Sequence, residues 1–518
     1  YFSGIILFND NKFDDSYSRF KKLEGLELYY NNYSSKYLFS LINSGNFNEA
    51  FRYSKKIEKE KINNFESDLI IGIYYLKNDK FDLAKEYFKK INSRNSQFLI
   101  NNFLSESLLN WSNFKSMNFK EAKNDIDKID QRFSSLKKIQ NTFLHCFYDS
   151  EKTEDFYKNL SSKDETNLSR YNYFYALYLS DKNKINQANQ VVETALELYP
   201  RNLLLNQYIL DKDTGKFQNY FNCKDTTHVI AEILYIVANA LSSQNIYTYS
   251  NFYLNLSKYL NEDFYSFETL LAENFYKMNN FELAKKTYKR VGRNSKIYGW
   301  YSAKQNATIL IDEKKNKQAL KLLENSYKKL PNKSIFEKYD YARFLKNNDQ
   351  FDKAIVLYSE IINKIDETHS LFPKAMDGRG VAYERIGEWD KAQKDLLSSL
   401  KASPDQAYVI NYLAYSWIEK GVNVKKALKM LQKANNLKTN DPYIIDSLGW
   451  ALFKLEKYVE SKKYLQSAVK LMPADPIIND HYGDVLWKNG KKIEARYYWS
   501  YVLNLKDTED DLKDIIKN

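Results

Sequence analysis

Any chemistry in this 518-residue chain would fall to four histidines, two cysteines and its carboxylates. His145, His228, His369 and His481 stand singly, and only His481 has acidic neighbours, with Asp480 before it and Asp484 three residues after. An imidazole between carboxylates can serve as a general base. No nucleophile is patterned around it, however, and the sequence contains no zinc-protease HExxH, no GxSxG, no P-loop and no GxGxxG. Cys146 and Cys223 lie far apart without a CxxC, which gives no zinc site; they read as two buried free thiols, with a bridge between them left open. These residues lead us to expect a non-enzymatic chain with no catalytic residue, no metal and no cofactor.

The carboxylates show a different regularity. Asp377, Asn411, Asp446 and Asp480 each precede a small residue by three positions, namely Gly380, Ala414, Gly449 and Gly483. One helical turn further on stand Val381, Tyr415, Trp450 and Asp484, followed by Glu384, Ile418, Phe453 and Trp487. Acceptors and aromatic residues recurring on one face of successive helices would suit a partner that offers amides, Lys or Arg beside apolar groups. The alternative is local: Asp and Asn in the first turn of a helix satisfy its exposed amides and complement its dipole. The candidate partner-binding residues are therefore Asp377, Asn411, Tyr415, Asp446, Trp450, Phe453, Asp480, Asp484 and Trp487. Five of the seven tryptophans lie between Trp389 and Trp499, so the C-terminal half is the preferred binding half.

Helices must position these residues, and the stretch Pro442–Leu505 shows how. It holds two copies of one pattern 34 residues apart, with Gly449 recurring as Gly483, Ser461 as Ala495, Leu465 as Trp499 and Ala468 as Val502. Small residues at fixed offsets let two helices cross closely, and a fixed period of this size marks a helical repeat. The series of packing residues runs from Gly4 through Ala50, Ala84, Ala122, Ala188, Ala284, Ala319, Ala354, Gly380, Ala392, Ala427, Gly449, Ala468 and Gly483 to Ala495. Aromatic residues open several second helices, as Phe13, Phe47 and Phe81 do. The period fails in the middle, where Asp211 to Asp225 reads as loop and the aromatic-rich segment IYTYSNFYLNLSKYLNED as a buried helix. The insertion around INKIDETHSLFPK reads as an edge loop. About 13 helix pairs are expected.

The repeats resemble the tetratricopeptide repeat (TPR) family. Its alternation of large, small and aromatic residues with a closing proline is matched by Met376, Gly380, Tyr383, Gly387, Ala392, Leu396, Ser399 and Pro404. A second copy offers Ile445, Leu448, Gly449, Leu452, Ser461, Leu465, Ala468 and Pro473. The likeness is strong from about Tyr265 to Leu505, moderate over Tyr1 to Lys123 and poor from Asp125 to Asp263, apart from the pair around Ala188. The chain also resembles long alphaproteobacterial cell-envelope repeat proteins in INDHYGDVLW and HVIAEILYIVANAL. What the resemblance implies is an all-α, right-handed superhelical solenoid, acting as a protein–protein interaction scaffold that binds an extended peptide or partner helix in a concave groove. The paired Lys and Asn of chaperone-binding relatives do not recur here, so an acidic C-terminal tail is not the expected ligand.

The expected divisions are 1–123 for N-terminal repeats, 124–263 for degenerate helical repeats with an irregular segment near 211–225, 264–505 for regular repeats, and 506–518 for a cap or tail. Lys and Arg total 78 against 66 Asp and Glu, a net charge of +12 that is mostly Lys and spread along the chain. A clustered Arg-rich patch would instead mark a nucleic-acid partner. A nucleic-acid-binding solenoid and a helical regulatory subunit of an enzyme complex are the alternatives kept. No small-molecule substrate is expected, and no run of 18 apolar residues suggests a membrane span. The first residue is Tyr1 and not Met. Localisation stays open between the periplasm or a membrane surface, if a signal or lipid anchor stood upstream, and the cytoplasm.

Overall fold

A computed structural model describes residues 1–94, 99–161, 169–215, 220–330 and 333–517. It contains thirty α-helices, with three short 3-10 turns and no strand among the described residues. Most helices pair in sequence as an A helix followed by a B helix. Fourteen such pairs are present among the described residues, besides the single helix Leu203–Thr214 and the terminal helix Asp510–Lys517. The chain divides into two compact units, Tyr1–Pro331 and Asn332–Asn518.

One local device ends the A helices in both units. A residue with positive φ stands five positions before the small residue of the B helix: Gly45 before Ala50, Asp79 before Ala84, Asn279 before Ala284, Glu456 before Ser461 and Gly490 before Ala495. The next amide then reaches back five residues, as Asn46 N does to Leu41 O at 2.8 Å and Lys491 N to Leu486 O at 2.9 Å. That left-handed closure satisfies carbonyls left over at the helix end and reverses the chain into the B helix.

Close crossing within a pair follows from the small residues. Ala50, Ala84, Ala122, Ala188, Ala284, Ala319, Ala354, Ala392, Ala427, Ala468 and Ala495 are all fully buried. A Cβ on Gly4 would lie 2.7 Å from the Phe20 ring, one on Gly449 2.7 Å from Leu465 Cγ, and one on Gly483 2.5 Å from Trp499 Nε1. At Gly380 the nearest atom is Leu396 Cγ at 3.0 Å. Each partner stands sixteen residues further on. Where the B-helix anchor is serine, its hydroxyl donates to the carbonyl twelve residues earlier: Ser16 to Gly4 at 2.9 Å, Ser250 to Ala238 at 2.7 Å and Ser461 to Gly449 at 2.7 Å.

In the first unit the chain folds back on itself. Helix Tyr247–Leu260 packs on Asn31–Asn43 and Phe65–Lys77, and helix Thr226–Ser243 packs on Leu99–Asn113. Phe39 stacks on Phe252 at 4.3 Å and Phe47 on Tyr259 at 4.4 Å. This return explains both the aromatic richness of the 247–260 helix and the loss of a simple period there. Phe252 and Tyr253 are buried, while Tyr249 is 49 % exposed. Behind it, buried Glu232 receives Arg170 Nε at 2.7 Å and Nη2 at 2.8 Å, and Ser266 Oγ accepts from Nη1 at 2.6 Å. The guanidinium also lies over Tyr235, 4.1 Å from the ring centre, and over Phe264 at 4.8 Å.

Two readings of the sequence change here. Cys146 and Cys223 are not free thiols: they form a disulfide with Cα atoms 6.0 Å apart. The fold brings the end of helix Ser134–Phe147 beside the 220–225 segment, a proximity that sequence spacing does not encode. The stretch expected to be irregular from Asp211 is helical to Thr214, capped by Gly215 at positive φ, with 216–219 outside the described residues.

Candidate functional site

In the second unit the A helices form a layer of their own. Ala407–Glu419 packs on Pro442–Lys454, which packs on Pro476–Lys488, and no comparable packing joins successive B helices among the described residues. Positions facing along this layer are stitched from one repeat to the next. Tyr412 Oη donates to Glu384 at 2.8 Å, Trp450 Nε1 to Glu419 at 2.6 Å, and His481 Nδ1 lies 3.0 Å from Asp446 Oδ2. In each case an acid on one helix meets an aromatic ring on the next.

The aspartates do not cap their helices. Asp441 accepts from the amides of Tyr443 and Ile444 at 3.1 and 3.2 Å, and Asp475 from Ile477 and Ile478, both at 3.0 Å, with Pro442 and Pro476 in the first turn. Asp446 and Asp480 stand a further turn into each helix, so first-turn stabilisation does not account for them.

Their environments differ. Asp446 is 5 % exposed and engaged with His481, whose ring stacks on Trp450 with centroids 3.9 Å apart. Burial opposes charging of His481, but Asp446, Asp480 and Asp484 outweigh it and raise its pKa above the ordinary value. Asp480 is half-buried, and burial with the charges of Asp484 and Asp446 lifts its pKa to about 6 against the opposing pull of His481. Asp484 is raised too, by burial, with His481, the Trp499 side chain and Lys454 and Lys488 pulling it back. Asp377 is raised by burial against the counter-pull of Lys346. Asn411 keeps its side-chain oxygen buried without a hydrogen bond.

The aromatic candidates form two groups. Trp450 is 8 % exposed and lies parallel to Phe453 at 4.7 Å, with Lys454 over its ring at 4.8 Å, and it serves packing as much as any ligand. Trp487 is half-buried and meets Trp499 at 5.5 Å, with Lys492 5.1 Å from its ring centre. Tyr415 is half-buried, with its pKa raised first by burial and then by Glu419 and Asp446. The structure thus gathers Asp446, Trp450, Phe453, Asp480, His481, Asp484 and Trp487 on two neighbouring A helices, and leaves Asp377 and Asn411 two and one A helices earlier. Sequence reasoning named Glu384 but not Glu419 and missed both pairings: Glu384 with Tyr412 and Glu419 with Trp450 become legible once an aromatic donor is sought about thirty residues downstream.

A family model described as tetratricopeptide repeat matches residues 302–508. Residues 302–508 are tetratricopeptide repeats. TPR repeat-containing protein PA4667 of Pseudomonas aeruginosa is 28% identical to it over 155 residues, which cover 30% of this chain and 26% of that protein. The match therefore spans about a quarter of that relative. Among solved structures, TTC0263, a thermophilic TPR protein of Thermus thermophilus, aligns at 14% identity over 36% of this chain and 97% of its own, with a TM-score of 0.31. MamA AMB-1 aligns at 19% identity over 33% of this chain and 99% of its own, with a TM-score of 0.29. TPR repeats expose extended surfaces of the kind other proteins bind. No helix among the described residues is long and apolar enough to cross a membrane.

Proposed function

We propose that the A-helix face of the C-terminal TPR repeats binds an extended peptide or partner helix carrying Lys or Arg beside apolar side chains, without catalysis. The observation that supports this most is Asp480. It stays partly exposed, no hydrogen bond to its carboxylate forms among the described residues, and it feels the charge of Asp484, which itself hydrogen-bonds the Trp499 side chain. Two carboxylates held together against burial cost stability unless a cation relieves them. Aromatic surface next to them supplies the apolar contact on which peptide anchors depend. Asp446 has a different part: engaged with His481, it orients the imidazole under Trp450 and so shapes the floor of the site.

The repeat organisation at 264–505 is on this reading the binding section, with 1–123 and 124–263 as the structural remainder and 506–518 as the end cap. The direct test is a comparison of wild type with the Asp480→Asn/Asp484→Asn pair, which keeps side-chain volume and removes charge. Binding of Lys/Arg-containing amphipathic peptides, followed by fluorescence anisotropy, is expected to weaken at least about tenfold, which corresponds to about 1.4 kcal/mol. Equal affinity in both proteins would reject the face.

A further inference from the structure

We infer that this protein folds and acts in an oxidising compartment, outside the reducing cytosol, with Cys146–Cys223 as a permanent cross-link of its N-terminal unit. The chain has only two cysteines in 518 residues, and both are in this one bond. A buried residue touches roughly 6–12 others, so two cysteines placed without regard to each other would meet in only about one or two of a hundred such chains. Disulfides persist where the surroundings are oxidising and are rare in reducing cytosol.

The surroundings of the bond mark it as structural and not as a switch. Cys146 is 1 % exposed and Cys223 8 %, which denies a reducing thiolate access to either sulfur in the folded chain. Phe221 packs against Phe143 at 4.9 Å and stacks on Phe174 at 4.2 Å, covering the same region. The loop closed by the bond is 77 residues long in sequence and embraces the helices Thr153–Ser161, Arg170–Asp181, Ile185–Leu198 and Leu203–Thr214. That stretch lies in the region where the repeat pattern is poor apart from the pair around Ala188, and the bond ties its two ends together. The 220–225 segment is also tied by hydrogen bonds and an ion pair: Asn261 Nδ2 donates to Tyr220 O at 2.9 Å, Tyr265 Oη to Tyr220 Oη at 2.6 Å, and Lys224 pairs with Asp149.

Formation of the bond needs a disulfide-bearing oxidant. A thiolate of one cysteine attacks a sulfur of that oxidant and displaces its partner sulfur as thiolate. The second cysteine, losing its proton, then attacks the mixed disulfide. The S–S bond passes to the protein, whose two thiols give up two electrons, and the oxidant leaves as a dithiol.

The test is a thiol census on the protein recovered from the cells that make it, acid-quenched, denatured and alkylated with a maleimide before and after reduction. Peptide mapping is expected to show Cys146 and Cys223 without an adduct before reduction and both with one after, with the protein in the extracytoplasmic fraction. Two adducts before reduction, or co-fractionation with cytosolic markers, would overturn the inference. With purified protein, a reductant in mild denaturant is expected to lower the unfolding temperature of wild type and not of the Cys146→Ser/Cys223→Ser variant. An equal response of both would contradict a structural role for the bond, and the census stands whether or not that variant folds.

Discussion

Asp480 holds a charge in a place that resists it, and that conflict can be measured. Its folded pKa of about 6 lies above the ordinary carboxylate value near 3.9. Between those values the folded chain binds more protons than the unfolded chain, so the Asp480 contribution to stability is present at low pH and lost as pH rises through about 6. His481 acts in the same sense: its raised pKa contributes stability below the unfolded value near 6.5, lost as pH rises through the folded one. The C-terminal unit is therefore expected to melt at higher temperature at pH 5.5 than at pH 8, read by circular dichroism. Asp480→Asn should flatten that dependence and raise the melting point at pH 8; an unchanged pH slope would remove Asp480 from this account. A residue that weakens the fold at the proposed binding face fits the stability–activity trade-off of functional positions. Gly449 offers a purely structural contrast. Alanine would gain about 1 kcal/mol of helix propensity, but its Cβ would meet Leu465 Cγ at 2.7 Å and the Leu465 backbone N at 3.2 Å. Overpacking of this kind costs about 1–3 kcal/mol, so Gly449→Ala is expected to lower the urea midpoint, and a rise would show that helix B can retreat.

The elements divide into those that only need their own repeat and those tied across the chain. Arg170 and Glu232 sit on helices separated by 62 residues and are buried together under Tyr235 and Phe264. Breaking a buried ion pair from one side costs about 3–5 kcal/mol, so Glu232→Ala should destabilise the N-terminal unit by that amount in chemical denaturation. A loss under about 1 kcal/mol would mean that solvent reaches the guanidinium. The regular pairs were legible in the sequence because Gly449, Gly483, Ala392 and Ala495 do the same steric work each time. The helix around Phe252 was legible as buried but not in its place, since nothing local says that Phe39, over two hundred residues earlier, will stack on it. The left-handed turn residue was hidden for another reason: Gly, Asn, Asp, Lys and Glu all fill it, at Gly45, Asn279, Asp79, Lys314 and Glu456. The candidate site was half legible. Spacing found Asp446 and Asp480, but only the packed structure separates the one engaged by His481 from the one left open.

At the scale of the molecule, two compact units with separate cores predict two separable unfolding transitions. Calorimetry should place the Glu232 effect in one transition and the Asp480 effect in the other; a single transition moved by both would join the units into one cooperative body. The charge distribution carries the functional claim further. The chain bears a net +12, yet the A-helix face around Asp480 and Asp484 gathers acids next to tryptophan. On the proposed function, a basic, partly apolar partner would be attracted there against the sign of the whole protein. The most direct measurement is selection of binders to residues 1–518 from an unbiased displayed peptide library, with each binder's affinity then compared between wild type and Asp480→Asn/Asp484→Asn. Enrichment of Lys or Arg beside aromatic or aliphatic residues, with affinity falling at least about tenfold in the variant and further with added salt, is the predicted result. Binders without basic residues, or ones that hold both proteins equally well, would contradict the account.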